Sequence, residues 1–353
     1  MDAYDPSQIS RKPSISVVVP SFNQGPFIRE TLESLFAQAY PELEVIVVDG
    51  GSTDGTLGVL QDYGDRIRWV SESDDGQADA IRKGFSMARG EWLTWLNSDD
   101  LQTDNALHRV ADCIAQHPKS EVVAGRGHYV AEDGTYLRPY PTIRIQGQSV
   151  NVQDELFEKG YVAQPSVFYR KDAYERVGGV DATLRYVMDY DLWVRFARAG
   201  CSFAFIDADI SANRWHDGAK TASQPLALLA EFIATQRRHY GAVSAYAVQA
   251  VSDLLFSLLH APHRPGPSLG PRMLYFKAMW VVFNGHRPWH CLKGLLTTHL
   301  CPKGPITGDR LTNRMLIGRA RRNVASMLSR PFTRSFPWLT TRPRWRSSDC
   351  ARS

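Results

Sequence analysis

The sequence predicts an α/β protein whose mostly parallel central sheet is flanked by helices. Short β-branched and apolar runs alternate with segments of helical periodicity between residues 14 and 97. Such alternation favours right-handed crossovers between parallel strands. Three of the first four strand-like runs also end in polar clusters. Ligands of parallel sheets bind at the carboxyl ends of the strands, so we expect these clusters to meet in one crevice.

The first four strands and their helices follow one another in order. The run "ISVVVP" predicts a strand, and "PFIRETLESLFAQ" predicts a helix because its apolar residues recur at i, i+4, i+7 and i+8. "LEVIVV" predicts a second strand, with a helix opening near residues 52–55. "RIRWVSE" precedes a helix that carries Ile81 and Phe85, and "EWLTWLN" is the fourth strand. We expect Trp92 and Trp95 in this last strand to pack in the core.

The second half of the chain has a less regular pattern. "MDYDLWVRFARAG" predicts a helix, since Leu192, Phe196 and Ala199 are spaced by four and three residues, and "SFAFID" predicts a strand. We expect four regions. They are an N-terminal tail at 1–13, the main α/β domain at 14–223, a helical region at 224–318 and a mobile, Arg- and Pro-rich tail at 319–353.

Charge is distributed unevenly along the chain. The net charge is +4, but residues 261–353 carry 17 Lys and Arg against 2 Asp and Glu, which leaves 24 against 35 in the preceding residues. Such a basic segment seeks anionic partners, either phospholipid head groups or nucleic acid. No recognised nucleic-acid-binding module accompanies it, so we expect an anionic membrane surface and no nucleic acid.

Targeting signals and cysteine spacing indicate where in the cell the protein is expected. The stretch "MDAYDPSQISRKPS" lacks the apolar core of a signal peptide, and the longest apolar runs are about half the ~20 residues of a spanning helix. The 5 cysteines include no C-x-x-C pair, which argues against disulfides and a structural zinc. We expect a cytoplasmic protein that is peripheral on the cytoplasmic face of the inner membrane.

Polar clusters follow three of the predicted strands, namely "PSFNQG", "DGGSTDGT" and "NSDD". No G-x-G-x-x-G follows the first strand and no G-x-x-x-x-G-K-[ST] occurs, which disfavours dinucleotide and P-loop sites. Asp99 and Asp100 follow a buried strand, where carboxylates can hold Mg²⁺ or Mn²⁺ against the phosphates of a nucleotide diphosphate. The alternative is turn or cap chemistry, which Asn, Ser and Asp also supply.

Six segments, in this order, resemble family 2 glycosyltransferases with the GT-A fold. They are "VVVPSFNQGPFIRETLESLFAQ", "VIVVDGGSTDGT", "SESDDGQADAIRKGFSMARGEWLTWLNSDD", "QPSVFYRKDAYERVGGVD", "MDYDLWVRFARAG" and "RWHDGAKT". The resemblance covers residues 14–221. It implies a nucleotide-activated sugar donor, inversion at the anomeric carbon, and a requirement for Mg²⁺ or Mn²⁺.

The resemblance also implies a set of contacts to the nucleotide sugar. The implied contacts are Pro20, Ser21, Asn23, Asp49, Asp79, Arg82, Asn97, Ser98 and Lys220. Asp49 would lie at the base and ribose, although many members have two consecutive aspartates where this chain has Asp49 and Gly50. Asn97 replaces the first aspartate of the family's D-x-D region and would bond a ribose hydroxyl.

The catalytic base implied by the resemblance is Asp189. In "MDYDLWVR", Met188 replaces a glutamate that is frequent in the family, and Asp189 aligns with the aspartate that takes the proton from the acceptor hydroxyl. Asp191 is a secondary candidate. Either aspartate would alternatively cap the helix that begins here.

The implied metal ligands are Asp99 and His216, with Asp100 as a second carboxylate. Neutral imidazole is a competent ligand for a divalent transition metal, but a lone loop histidine is more often structural. Lys220 would balance charge on the leaving diphosphate, and Trp215 is a secondary candidate for contact with the sugar.

These features predict an inverting, metal-dependent glycosyltransferase that acts on a glycan or lipid-linked acceptor, in cell-surface polysaccharide biosynthesis. The alternative is a non-catalytic nucleotide- or glycan-binding protein on the same fold. A sugar-nucleotide pyrophosphorylase would share the sheet, but "PSFNQG" lacks the Gly-, Arg- and Lys-bearing loop expected after its first strand.

Overall fold

The computed structural model describes residues 12–142, 151–158, 162–216, 218, 224–259 and 279–284. The strands in chain order, β1 to β9, are Ile15–Ser21, Leu43–Asp49, Arg68–Ser71, Trp92–Trp95, Leu101–Gln102, Val122–Val130, Tyr136–Pro139, Val167–Arg170 and Phe203–Arg214. The helices in chain order, α1 to α9, are Ile28–Phe36, Thr56–Asp62, Gln77–Met87, Ala106–Gln116, Val152–Glu158, Lys171–Arg176, Met188–Arg198, Pro225–Tyr240 and Ala245–Leu259.

The described strands lie in one sheet with the order β3-β2-β1-β4-β8-β6-β9-β5, and β7 pairs with β6. β1 to β4 are mutually parallel, β8 runs against both β4 and β6, and β9 is parallel to β6. β1 to β4, β6 and β9 therefore point one way, whereas β5, β7 and β8 are reversed. The predicted α/β class with a mostly parallel sheet is confirmed, and the carboxyl ends of the parallel strands share one edge.

Helices cover both faces of the sheet, because every central strand alternates buried side chains between two apolar layers. One layer joins Val17 and Val47 to α1 and α4, and the other joins Val18 to α3 and α7. Gly84 allows α3 to lie close to the sheet, since a Cβ at this position would overlap the side chain of Val18. This close packing determines where the first turn of α3 lies above the carboxyl edge.

A tryptophan stack joins the centre of the sheet to α7. The rings of Trp95 and Trp193 lie 5.8 Å apart with an interplanar angle of 20°. Both side chains are buried, as is Trp92, which confirms the prediction that Trp92 and Trp95 pack in the core. In the sequence, Trp95 comes shortly before Asp99, and Trp193 comes one helical turn after Asp189. One apolar contact therefore relates the positions of two predicted site segments.

Helices α8 and α9 pack against the main domain. Phe232, Ile233 and Val248 belong to the same buried cluster as Trp193, so the described part of the predicted helical region shares the core of the α/β domain. The boundary near residue 223 stays a prediction. Among the described helices, none combines the length and apolar character needed to cross a bilayer. Lys220 and the predicted tail at 319–353 lie outside the described residues.

Candidate active site

The end of β9 is joined to the loop after β4 through Arg214. Its Nε donates to the carbonyl oxygen of Asp99 at 2.9 Å, and its backbone N donates to Oδ1 of Asp100 at 2.9 Å. The guanidinium is fully buried and also pairs with Glu30 of α1 at 2.5 Å. Because a buried charge is costly unless it is paired and hydrogen-bonded, these contacts hold the two segments in one geometry.

Asp99 and His216 meet at this junction, 117 residues apart in sequence. Nε2 of His216 lies 2.9 Å from Oδ2 of Asp99, and the two side chains are 9% and 19% exposed. The Phe27 ring, 4.9 Å from the imidazole, covers one side of it. In the described residues Asp99 has no further side-chain hydrogen bond, so its other oxygen is open to a ligand. The two metal ligands implied by the sequence are therefore adjacent.

Asp100 has a different environment from its neighbour. Its side chain is buried, and its second oxygen accepts a bond from Nδ2 of Asn97 at 3.0 Å. Burial and the adjacent charge of Asp99 raise the pKa of the Asp100 carboxyl well above its usual range. Oδ1 of Asn97 in turn accepts a bond from Gln77 of α3 at 2.7 Å. An aspartate at position 97 would repel Asp100, so the departure from the D-x-D pattern has a structural reason.

Asp49 is completely buried, and its carboxylate serves the loop after β2. It accepts bonds from the backbone N of Gly51 and Ser52 and from the hydroxyls of Ser52 and Ser71, at 2.5 to 3.1 Å. Asn23 likewise joins two loops, since its side chain accepts a bond from the backbone N of Thr53 at 2.9 Å. Both oxygens of Asp49 are thus used within the fold, and the predicted contact of Asp49 with the base and ribose stays a prediction.

The end of β1 contains one polar group without a partner. Ser21 is 5% exposed, and its hydroxyl has no hydrogen bond in the described residues. Next to it, Phe22 is 59% exposed, which is unusual for a large apolar side chain at a strand end. Phe22 was not among the predicted contacts, although an aromatic residue inside "PSFN" was the available signal. An exposed ring beside a buried hydroxyl suits a nucleoside.

Gly50 faces the loop after β3. A Cβ at Gly50 would lie 2.9 Å from Oδ2 of Asp74, whose other oxygen accepts a bond from the backbone N of Gly76 at 2.8 Å. The Asp74 carboxylate therefore occupies space that a second aspartate after Asp49 would need. Asp74 was not among the predicted donor contacts, although the polar cluster "SDDG" after the third strand was a sequence signal for it.

Two of the predicted donor contacts, Asp79 and Arg82, lie one turn apart on α3. Asp79 accepts a long bond from the backbone N of Asp75 at 3.4 Å in the first turn. Arg82 is exposed and lines a cleft of about 390 Å³ with residues 178–183 and Arg195. Ser98 is buried beside Asp99. The roles of Asp79, Arg82 and Ser98 in donor binding stay predictions.

Asp189 is the second residue of α7. It is partly buried, and Oδ1 accepts a bond from the backbone N of Tyr190 at 2.7 Å, while Oδ2 has no partner in the described part of the chain. Burial, with a smaller contribution from the charge of Glu231, raises the pKa of the Asp189 carboxyl to about 6. Such a carboxylate is ionised at neutral pH and still basic enough to accept a proton.

Asp191 is used within the fold. It is 1% exposed, Nε of Arg195 donates to it at 2.8 Å, and Nε2 of His239 on α8 lies 2.7 Å away. Desolvation opposes ionisation, but His239 and Arg195 outweigh it and lower the pKa of the Asp191 carboxyl. Asp191 therefore links α7 to α8 through both of its oxygens, and its role as a secondary candidate for catalysis stays a prediction.

Metal binding would rest on few protein groups. Within the described ranges, no group of three or more His, Cys, Asp or Glu side chains is arranged around one point.

Trp215 is half-buried, its backbone N bonds to Val130 at 2.8 Å, and its ring packs edge-on against Tyr129 at 5.8 Å. Its predicted contact with a sugar is not tested by this packing.

Asp189 and the Asp99–His216 pair lie at the same edge of the sheet. Helix α7 ends just before β9 begins, so its first turn lies near the edge where β9 ends, and the stack of Trp95 on Trp193 fixes its distance from β4. An α/β fold with a carboxylate–imidazole pair and a separate carboxylate of raised pKa at its crevice defines a candidate group-transfer enzyme with a general base.

Residues 16–178 match the sequence model of Glycosyl transferase family 2. Over these residues the chain is therefore similar to glycosyl transferase family 2, in agreement with the resemblance found in its sequence. Asp189 and His216 lie beyond the matched residues.

Similar proteins agree with this likeness. An uncharacterized glycosyltransferase of Rickettsia typhi is 27% identical over 233 residues, which cover 64% of this chain and 71% of that protein. A PGL/p-HBAD biosynthesis glycosyltransferase of Mycobacterium bovis is 29% identical over 188 residues, 52% of this chain and 69% of that protein. Residues 1–349 of S. aureus TarS in complex with UDP-GlcNAc superpose with a TM-score of 0.53 at 18% identity, over 90% of this chain and 92% of that chain. This last likeness shows the fold alone.

Proposed function

We propose that the protein is an inverting, metal-dependent glycosyltransferase. It transfers a sugar from a nucleotide diphosphate sugar to a hydroxyl of a glycan or lipid-linked acceptor in cell-surface polysaccharide assembly. The observation that carries this proposal is the contact of Asp99 with His216 at 2.9 Å, at the sheet edge that also bears Asp189. A biosynthetic glycosyltransferase among the relatives and a UDP-GlcNAc complex among the structural neighbours support the choice of reaction and donor.

The nucleotide of the donor is proposed to lie over the ends of β1 and β2. The exposed ring of Phe22 offers a stacking surface for the base, and the buried hydroxyl of Ser21 lacks a partner that a ligand would supply. Pro20 and Asn23 shape this loop, and the Asp74 carboxylate over Gly50 is an acceptor for base or ribose donors.

A divalent cation fits the donor set of Asp99 and His216, because the imidazole nitrogen and the carboxylate that it contacts are close enough to share one ion, and the second oxygen of Asp99 has no partner in the described residues. These two residues would hold Mg²⁺ or Mn²⁺, and so few protein ligands leave positions for phosphate oxygens and water. When bound, the ion would offset the negative charge of the leaving diphosphate. Asp100 would support the loop, since both of its oxygens accept N–H bonds.

Asp189 is proposed to act as the general base. Its unpartnered Oδ2 takes the proton of the acceptor hydroxyl while that oxygen attacks the anomeric carbon from the face opposite the diphosphate. The bond from the anomeric carbon to the diphosphate oxygen breaks, and the electron pair leaves with the diphosphate, whose charge Lys220 would help to balance. A single displacement with a single base inverts the anomeric configuration.

The basic C-terminal segment is proposed to bring the enzyme to an anionic membrane on its cytoplasmic face. Each Lys or Arg near such a surface contributes about 1 kcal/mol before screening, and residues 261–353 hold 17 of them. Sedimentation with vesicles containing phosphatidylserine tests this, with the full chain and a variant in which Arg342, Arg344 and Arg346 are glutamine. Equal binding of both proteins, or equal binding to neutral vesicles, would argue against it.

A thermal-shift panel tests the donor site. UDP, GDP, dTDP and their common sugar conjugates are added with Mn²⁺ or with EDTA, because a ligand that binds the folded state raises the unfolding temperature by mass action. We expect one nucleotide to stabilise the protein in a Mn²⁺-dependent way that Asp99→Ala weakens. We also expect slow hydrolysis of its sugar conjugate, which releases the nucleoside diphosphate. Stabilisation without any diphosphate release, with or without candidate acceptors, would favour the non-catalytic alternative.

A further inference from the structure

Glu231 on α8 makes an unusual set of contacts with the segment that leads into α7. Its Oε2 accepts bonds from the backbone N of Tyr186 at 2.6 Å and of Val187 at 3.0 Å. The backbone N of Arg185 is 3.0 Å from Oε1 and 3.2 Å from Oε2. One half-buried carboxylate therefore binds three consecutive amides that lie just before Asp189.

The start of α7 needs a partner of this kind. The residue in the capping position is Val187, which makes no side-chain cap bond, whereas a serine, threonine or aspartate is usual there. Unbonded amides and the positive end of the helix dipole both favour a carboxylate nearby. Glu231 supplies that carboxylate from another helix, so the direction in which the chain enters α7 depends on α8.

Helix α8 also holds the residues that follow Asp189. The ring of Phe232 lies 4.6 Å from that of Tyr190, and Nε2 of Gln236 lies 3.3 Å from the Tyr190 hydroxyl. His239 bonds to Asp191 at 2.7 Å. The chain is thus fixed by α8 on both sides of Asp189, while one oxygen of Asp189 has no partner among the residues that the structure describes.

Several other charged groups near this turn are paired with one another, whereas the Arg185 side chain forms no ion pair in the described residues. Arg195, His239 and Arg238 surround Asp191, and Arg238 also reaches Asp181 at 3.1 Å. Glu231 is the like charge that acts on Asp189, and it adds to the effect of burial in raising the pKa of that carboxyl.

We infer that Glu231 is a positioning residue for Asp189, because it holds the three amides before α7 and so orients the proposed base. This inference rests on the proposed function, in which Asp189 is the base. It also extends the catalytic unit to α8, which lies outside the residues matched by the family model.

The test compares Glu231→Gln and Glu231→Asp with a matched control, Glu121→Gln. Glu121 likewise accepts a backbone N–H bond, and it forms an ion pair with Arg176, but it precedes β6 at the opposite edge of the sheet. For each protein, kcat, KM for the donor identified above, the unfolding temperature and the pH dependence of kcat are measured. The pKa of Asp189 is followed by NMR of ¹³C-labelled aspartate carboxyls, assigned with Asp189→Asn.

We expect Glu231→Gln to lower kcat by about 10²-fold, because a small displacement of a reacting group has that cost, with donor KM nearly unchanged. The pKa of Asp189 and the acidic limb of kcat move to lower pH, since a like charge is removed. Glu231→Asp keeps the charge and retains that limb, with a smaller loss of kcat. The control loses some stability but keeps kcat and the pKa of Asp189.

A wild-type kcat in folded Glu231→Gln, or an unchanged Asp189 pKa in both Glu231 variants, would overturn the inference. So would equal effects of Glu231→Gln and Glu121→Gln. If Glu231→Gln does not fold, the test rests on Glu231→Asp. A wild-type kcat in the Glu231→Asp variant would then contradict the positioning role of Glu231. Full activity of Asp189→Asn would instead refute the proposed base, which separates the two failures.

Discussion

The loop "NSDD" and the helix start "MDYD" each carry two aspartates, and each pair divides in the same way. Asp100 and Asp191 are 4% and 1% exposed, and both oxygens of each accept bonds or ion pairs. Asp99 and Asp189 are more exposed, and in the described residues each has one oxygen without a partner. Identical residue types thus serve the fold at one position and remain open to a ligand at a neighbouring one.

The two open aspartates differ in the charge that faces them. Asp99 faces an imidazole, which with the carboxylate can share a cation. Asp189 faces the carboxylate of Glu231, which together with burial raises its pKa to about 6. A carboxylate oxygen next to an imidazole nitrogen is suited to binding a metal ion. A carboxylate next to another carboxylate has a raised pKa and is suited to accepting a proton. The comparison therefore predicts separate consequences for replacing each aspartate.

The largest effect is expected for Asp189→Asn. Transfer should fall by about 10²- to 10⁴-fold because the amide cannot accept the acceptor proton. Donor binding by thermal shift should be unchanged, and the unfolding temperature should be equal or higher, since a partly buried charge is removed. Near-wild-type transfer by the purified variant would show that Asp189 is not the open, reactive member of its pair.

Asp191→Asn should damage the fold rather than the chemistry. Breaking a buried ion pair by removing one partner costs about 3 to 5 kcal/mol of unfolding free energy, measurable by urea denaturation. Asp172→Asn is the control, because Asp172 forms an exposed pair with Arg170 and should lose less than about 1 kcal/mol. Similar losses in the two variants would contradict the assignment of Asp191 to the scaffold.

Asp99→Ala should weaken Mn²⁺-dependent donor binding by about tenfold or more, since one of two protein ligands is lost. The measurement is a Mn²⁺ titration of the donor-induced thermal shift. Asp100→Asn should retain that Mn²⁺ dependence but lose about 1 to 3 kcal/mol of stability, because an amide nitrogen would face an N–H donor. The reverse pattern would exchange the roles of the two residues.

The smallest effect concerns pH. The proposed base works when deprotonated, and its pKa is raised to about 6, so kcat should be constant above about pH 7 and fall tenfold per unit below the pKa. Rates at pH 4.5 to 8, with circular dichroism to verify folding, check this. If kcat instead began to fall only near pH 4, burial would not raise the pKa of Asp189 in the working enzyme.

The sequence predicted the α/β class, the order of the first four strands and the edge on which the site lies. It did so because apolar periodicity and strand-end polar clusters are local patterns. The reversed strands β5, β7 and β8 were not predicted, since they have two to four residues and no distinct periodicity. Phe22, Asp74 and Glu231 were missed because their importance depends on exposure or on groups from other elements.

The sequence by itself determined which chemical groups reach the crevice, including Asp99, Asp189 and His216. Only the tertiary structure decided which of them are open. Asp49, for which the resemblance implies a contact with the base and ribose, accepts hydrogen bonds from its own loop and from Ser71 of the next strand. Asp100 and Asp191 are satisfied by Arg214 and His239, 114 and 48 residues away. Whether a carboxylate has a free oxygen depends on partners brought together by folding, and short sequence patterns do not contain that information.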